Sequence, residues 1–259
     1  PFTLNHLNGN SDIWHFGADL RIPAYNNDHS IFANQVKYDW NAFSFGLNQL
    51  YSNELHQPQF GSARAEVHHK LSGIYGSWGG SNADLFVEYV DKISTEKTFM
   101  AFNDTLKRGH GFYSNINFYL SSWGLSTEYK RYAFDRAHGD LTQDDYGNQI
   151  EFQQMPTLGK EQNSTLLGRV SRNYNFNDER ALQFELNGAL KGLSLTGQYS
   201  HISRNETWQS VSTNDWVYTA LENHLPSSDP SALPYWENYF EISGYAFNDN
   251  VYFKLGRGN

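Results

Sequence analysis

The chain contains no cysteine. Disulfides and thiolate metal sites are therefore excluded. No apolar run approaches the ~18 residues that a membrane-spanning helix requires, so transmembrane helices are excluded as well. Aliphatic residues are few. The hydrophobic share is only 39%, and 18 Phe, 17 Tyr and 7 Trp supply much of it. Positive charge is in the minority, with 19 Lys and Arg against 28 Asp and Glu and a net charge of −9. That balance repels a phosphate backbone and argues against nucleic acid as a partner. The opening stretch PFTLNHLNGN has neither a charged start nor an apolar segment. It is not a signal peptide, and the expectation is a mature form, a fragment or a cytosolic protein.

What is present suits one architecture. A soluble domain of this length normally carries more Leu, Ile and Val for its core. A transmembrane β-barrel needs apolar residues only on its outer face, with Tyr and Trp at the interfaces and polar groups inside. The mean hydropathy of −0.66 is compatible with that object.

The pattern is clearest in residues 111–134. Phe112, Ser114, Ile116, Phe118 and Leu120 alternate with Tyr113, Asn115, Asn117 and Tyr119. After Ser121–Ser122, Trp123, Leu125, Thr127 and Tyr129 alternate with Gly124, Ser126, Glu128 and Lys130. This is a β-hairpin with one apolar and one neutral-polar face. The same texture recurs at 180–190, 192–203, 236–247 and 250–256, and more weakly at 12–20, 36–48, 63–75, 84–91, 150–155 and 164–174. These are about twelve strands. Residues 1–11 read as irregular, 21–35 as a polar turn-rich connection, and Trp216–Leu225 as a possible loop helix. From residue 76 onward, short and long connections nearly alternate, as in outer-membrane barrels. The short connection Asn175–Glu179 breaks the rule. The expected fold is an all-β, antiparallel up-and-down transmembrane β-barrel. It forms a single domain over 1–259 and is the front part of a longer barrel, because an open sheet edge is not tolerated in lipid.

Four stretches carry a resemblance: FVEYVDK at 86–92, LKRGHGFYSNINF at 106–118, WGLSTEYKRYAF at 123–134 and MPTLGKEQNSTLLGRVSRNYNFNDERALQFELN at 155–187. Across residues 84–205 or so, the chain resembles a poorly characterised family of outer-membrane β-barrels of Bacteroidota and related phyla. The resemblance implies an outer-membrane location and a larger intact barrel. It implies no substrate.

Candidate chemistry is sparse. His201 and Ser203 share one strand face, and a Ser beside a base is a potential nucleophile. The pair is similar to the His-x-Ser of outer-membrane phospholipase and lipid A deacylase barrels. Those families follow Ser directly with Asn, whereas here Arg204 precedes Asn205. The plain alternative is a strand turning polar as it leaves the membrane. His68 and His69 face opposite sides of a strand and do not chelate one ion easily. Asp140, Asp144, Asp145 and Asn148 offer oxygen ligands for Ca²⁺, against the reading of a solvated acidic loop. Lys107, Arg108, Lys130, Arg131 and Arg136 cluster at one end of the hairpin, as lipid-phosphate contacts, lumen lining or ordinary rim residues. The 204–235 connection, with Trp208, Trp216, Tyr218 and His224, suits sugar stacking or simple surface packing.

The sequence therefore leads to a passive outer-membrane pore, uptake channel or surface scaffold. Asn115, Asn117, Glu128, Lys130, Gln183, Glu185 and Asn187 would line its lumen. One alternative is a lipid acyl-ester hydrolase using Ser203 and His201. Another is a soluble, aromatic-rich glycan-binding β protein. No cofactor is expected. Expected partners are outer-membrane lipid or lipopolysaccharide and small polar solutes or sugars.

Overall fold

A computed structural model describes residues 2–15, 25–56, 65–98, 105–133, 178–212, 215–220, 223–247 and 250–258. Almost all of these are strand, and none is α-helical. The strands are β1 (Phe2–His15), β2 (Tyr25–Trp40), β3 (Phe43–His56), β4 (Ala65–Gly79), β5 (Ala83–Thr98), β6 (Thr105–Leu120) and β7 (Trp123–Ala133). They continue as β8 (Asp178–Leu190), β9 (Leu193–Ser203), β10 (Glu206–Ser212), β11 (Asp215–Ala220), β12 (Tyr235–Ala246) and β13 (Val251–Gly258). Eleven form one sheet in the order β1 through β9, then β12 and β13, while β10 and β11 pair separately. The pairings with described register are antiparallel. The sheet is all-β and up-and-down, and it is not closed: β1 and β13 stand at its two ends.

Several sequence expectations change. Within the stretch expected to be irregular, residues 2–11 belong to β1, and β2 begins inside the supposed 21–35 connection. The single strand expected at 36–48 is the junction of two strands, which turn at Asn41–Ala42 with Asn41 at φ 51°. No Gly or Pro marks that turn, so the flanking alternation reads as continuous. Trp216–Leu225 is not a helix: residues 215–220 form β11. The expected strands at 150–155 and 164–174 lie outside the described residues, as does the 135–149 connection.

By contacts the described residues fall into two compact units. One contains β1–β3 with residues 65–76, 88–98 and 105–110. The other contains 77–79, 83–87, 111–120 and β7–β13.

In the first unit, pairing puts Leu4, Val36 and Leu47 in one row across β1–β3, and Phe2, Tyr38 and Phe45 in the next. Phe2 and Leu4 are 74% and 76% exposed, and the rest of this face is exposed too. The opposite face holds a polar ladder. Asn5 donates to Gln35 at 2.8 Å, and Gln35 donates to Asn48 at 2.9 Å. On that face a Cβ at Gly46 would overlap the Tyr75 ring.

The second unit repeats the arrangement. Leu125, Leu186 and Gly197 share a row, as do Thr127, Phe184, Tyr199 and Asn238. Leu190, Phe240 and Leu255 on this face are 51%, 53% and 65% exposed. Buried side chains on the opposite face are mostly polar: Lys130, Glu179, Gln183, Gln198, Ser200 and Glu237. The buried apolar cluster is small, with Ala181 and Ile202 at its centre. The turns are tight. Lys191 and Gly192 both take positive φ, 50° and 85°, as a two-residue type I′ hairpin requires. Gly188 lies opposite Trp123, whose indole covers it so closely that a Cβ would fall 2.1 Å from a ring carbon.

Candidate functional site

Two arrangements of polar side chains stand out in the second unit, one on each face. All seven residues expected to line a lumen lie on the polar face. Asn117 donates to Asp84 at 2.7 Å and to Asn115 at 2.6 Å, and Asn115 donates to Ser126 at 3.3 Å. Tyr113 donates to Glu128 at 3.2 Å. Register then carries the face across the sheet, because Glu128 is opposite Gln183 and Ser126 is opposite Glu185. Gln183 accepts from Ser200 at 3.2 Å, and Asn187 accepts from Thr196 at 2.8 Å. Accessibility changes along this face. Glu185 and Asn187, near the Lys191–Gly192 turn, reach solvent; Gln183, Lys130 and Glu179 do not. Lys130 and Glu179 form an ion pair at 2.7 Å with both side chains fully buried. Tyr132 donates to the other carboxylate oxygen at 3.2 Å, and the Lys130 ammonium sits 5.1 Å from the Tyr132 ring centre.

The second arrangement closes the opposite face at the end remote from that turn. Its last rows are Tyr129, Leu182, His201 and Trp236, then Arg131, Arg180 and Ser203. Residues 223–234 fold over them as a strap. Arg180 is buried and ties the strap to Asn205 at the end of the sheet. Its Nε and NH2 donate to the side chain and carbonyl of Asn205, both at 3.1 Å. Its NH1 donates to the carbonyls of Asn223 and Leu225. Arg131 donates from Nε to the same Asn205 Oδ1 at 3.1 Å, and from NH1 to His224 Nδ1 at 3.0 Å. Tyr129 donates to the His224 carbonyl at 2.6 Å, and Asn205 donates to the Tyr132 carbonyl at 2.6 Å. The strap then turns through a short 3-10 segment, Pro230–Ala232, capped by Asp229. The Asp229 carboxylate accepts from the Ser231 hydroxyl and backbone N–H, which holds it below the usual carboxyl range.

The structure keeps His201 and Ser203 on one face but gives each other partners. The buried Ser203 hydroxyl donates to the Arg204 carbonyl at 3.0 Å and accepts from the Ser227 N–H at 2.8 Å. The His201 ring stacks on Trp236, with centres 4.9 Å apart and planes inclined by 16°. Among the described residues no hydrogen bond joins His201 to Ser203. His68 and His69 have separate partners, Asn53 at 2.6 Å and Ser94 at 2.8 Å.

Among the described residues no group of three or more metal-binding side chains occurs. Asp140, Asp144, Asp145 and Asn148 lie outside the described residues. The basic cluster separates: Lys130 is on the polar face, Arg131 is on the other, and Arg108 is exposed. Arg136 and the side chain of Lys107 lie outside the described residues. Sequence reasoning missed Arg180 and Asn223, and it treated Asn205 only as a departure from a motif. No protein-family model matches the chain, and no curated protein matches it.

Proposed function

We propose that the chain builds the wall of a bacterial outer-membrane β-barrel that acts passively, as a pore, an uptake channel or a surface scaffold. One observation carries this reading: burial is inverted. Leu, Phe and Trp side chains occupy the accessible face, while Lys, Glu, Gln and Ser are shielded on the other. In water, leaving apolar area accessible forfeits about 25 cal/mol per Å², and continuous exposed apolar faces are a liability for soluble monomers. In lipid the same face is the solvated one.

Dimensions agree. From Arg180 to Leu190 the strand rises about 33 Å, at ~3.3 Å per residue. A tilt of ~45° reduces this to about 23 Å, close to the ~25 Å apolar band of such barrels. The aromatic and His row, followed by the Arg row, has the order of a membrane interface. The resemblance of residues 84–205 to Bacteroidota outer-membrane barrels points the same way. An open sheet of this kind also needs further strands to satisfy its edges in lipid.

Fractionation of cells expressing the full-length protein tests the reading. The protein should float with outer membranes and enter solution only with detergent. Recovery in the soluble fraction as a monodisperse species overturns it. Conductance in planar bilayers then separates a pore from a scaffold.

A further inference from the structure

We propose that the strap end of the apolar face carries a binding site for a phosphate monoester, made by Arg131 and His224 and supported from beneath by Arg180. The outer-membrane reading supplies the expected ligand source, a lipid headgroup. The chemistry of the site stands without it.

Three observations lead there. First, Arg131 and Arg180 are directly opposite on paired strands, and like charges so placed repel. The acceptor they share, Asn205 Oδ1, is neutral. It aligns the two guanidiniums without cancelling the charge of Arg131. Among the described residues no carboxylate reaches Arg131. Its neighbour Lys130 faces the other way and meets Glu179 at 2.7 Å. The same strand position therefore supplies a counter-charge on one face and a second cation on the other.

Second, Arg131 retains donors. Of five guanidinium N–H groups, Nε and one on NH1 are committed, both to neutral acceptors. The remainder lie in a rigid plane suited to paired phosphate oxygens. His224 is exposed and adds a further donor. Because a guanidinium only donates, His224 Nδ1 must accept, so the ring proton sits on Nε2.

Third, the site is held and correctly placed. Arg180 bonds the carbonyls of Asn223 and Leu225 on either side of His224, and Tyr129 bonds the His224 carbonyl. The ring therefore has little backbone freedom. The Arg row follows directly on the aromatic row, the level at which membrane phosphates lie.

The test uses the full chain in dodecyl maltoside micelles, with native mass spectrometry titrations of phosphatidic acid and phosphatidylcholine. Inorganic phosphate is followed separately by ³¹P NMR. Phosphatidic acid should bind at least about tenfold more tightly than phosphatidylcholine. Arg131→Gln should weaken it about tenfold to a hundredfold, the range of a lost charged hydrogen bond. Arg131→Lys should restore part of the loss, and His224→Gln should cost less than Arg131→Gln. Competition by inorganic phosphate would identify a site for the phosphate group from any source; binding of the lipid alone would identify a headgroup site. Both outcomes uphold the proposal. Unchanged affinity in Arg131→Gln and His224→Gln that keep wild-type heat-modifiable migration overturns it. If the protein is soluble without detergent, the outer-membrane reading falls, and the inorganic phosphate arm on the same variants still decides the site.

Discussion

The two ends of the apolar face in the second unit obey opposite rules. Near the hairpin turns, Leu120, Leu190 and Val251 stand exposed with nothing folded over them. At the other end, Arg180 and Ser203 are fully buried under the strap, and every described polar bond they make is to backbone or to Asn205. A protein in water would cover the leucines and leave the arginine wet. Here the expenditure of chain is reversed, as the outer-membrane proposal expects of a face bathed in lipid. On that proposal the boundary between two solvents would fall within one strand, between Leu182 and Arg180 on β8.

Arg180→Ala is the strongest way to break the contrast. The carbonyls of Asn205, Asn223 and Leu225 lose their Arg180 donor together, while Asn205 Oδ1 keeps Arg131. An acceptor left buried and unpaired costs about 1–3 kcal/mol, and the large side chain leaves a cavity as well. Denaturant unfolding in micelles should show a loss of roughly 4 kcal/mol or more, and hydrogen exchange should show faster exchange in the strap. Leu186→Arg, at the opposite end of the argument, should cost about 2–4 kcal/mol in a bilayer, the depth-dependent charge on a lipid-facing strand. A change within about ±0.5 kcal/mol, as at an ordinary wet surface, would remove the contrast altogether.

Gly188→Ala tests packing inside the apolar band. The added carbon must displace the Trp123 indole, so stability should fall by about 1–3 kcal/mol, with a shift in tryptophan emission. The smallest effect belongs to Asp229. Its carboxyl is held below its usual range by Ser231. The cap's contribution is therefore complete above the ordinary carboxyl pKa near ~4 and is lost as pH falls through the depressed value. Exchange of the Ser231 amide should accelerate on acidification in the wild type. In Asp229→Asn that acid-dependent acceleration should be absent.

How much of this was legible depended on the distance over which each signal acts. Alternation is local, so residues 111–134 and 180–203 disclosed both strands and faces. The seven polar-face residues were named from that alternation alone, and their cross-strand register came only with the structure. The first part of β1 was missed, although its end at 12–15 was expected as strand, because Asn5, Asn8, Gly9 and Asn10 place small polar groups on both its faces, which erases the period. The Asn41–Ala42 turn was missed because Asn41 stands without a following Gly or Pro, although Asn suits its φ of 51°. The strap could not be read at all. Its bonds join Arg131 to His224, Arg180 to Asn223 and Ser203 to Ser227, and no spacing rule links such separated positions. A lone Arg in a strand gives no hint that a loop will return to it. The pairing of His201 with Ser203 shows the converse: a shared face was legible, but the competing backbone partners of the hydroxyl were not.

One feature of the sheet has a kinetic meaning. From β1 to β9 each strand pairs with its predecessor in sequence, so each can join an edge that already exists. Most of these additions close short connections at modest entropic cost, the β7–β8 step across residues 134–177 being the long exception. The interruption falls between β9 and β12, where the β10–β11 hairpin and the strap intervene. Tyr235 can find Ile202 only after that excursion has returned along the sheet. The Arg180 bonds fix where it returns, and so they set the register in which all later strands are laid down. The strap is thus a guide in time as well as a cover in space: its docking brings Tyr235 back to the β9 edge that β12 extends.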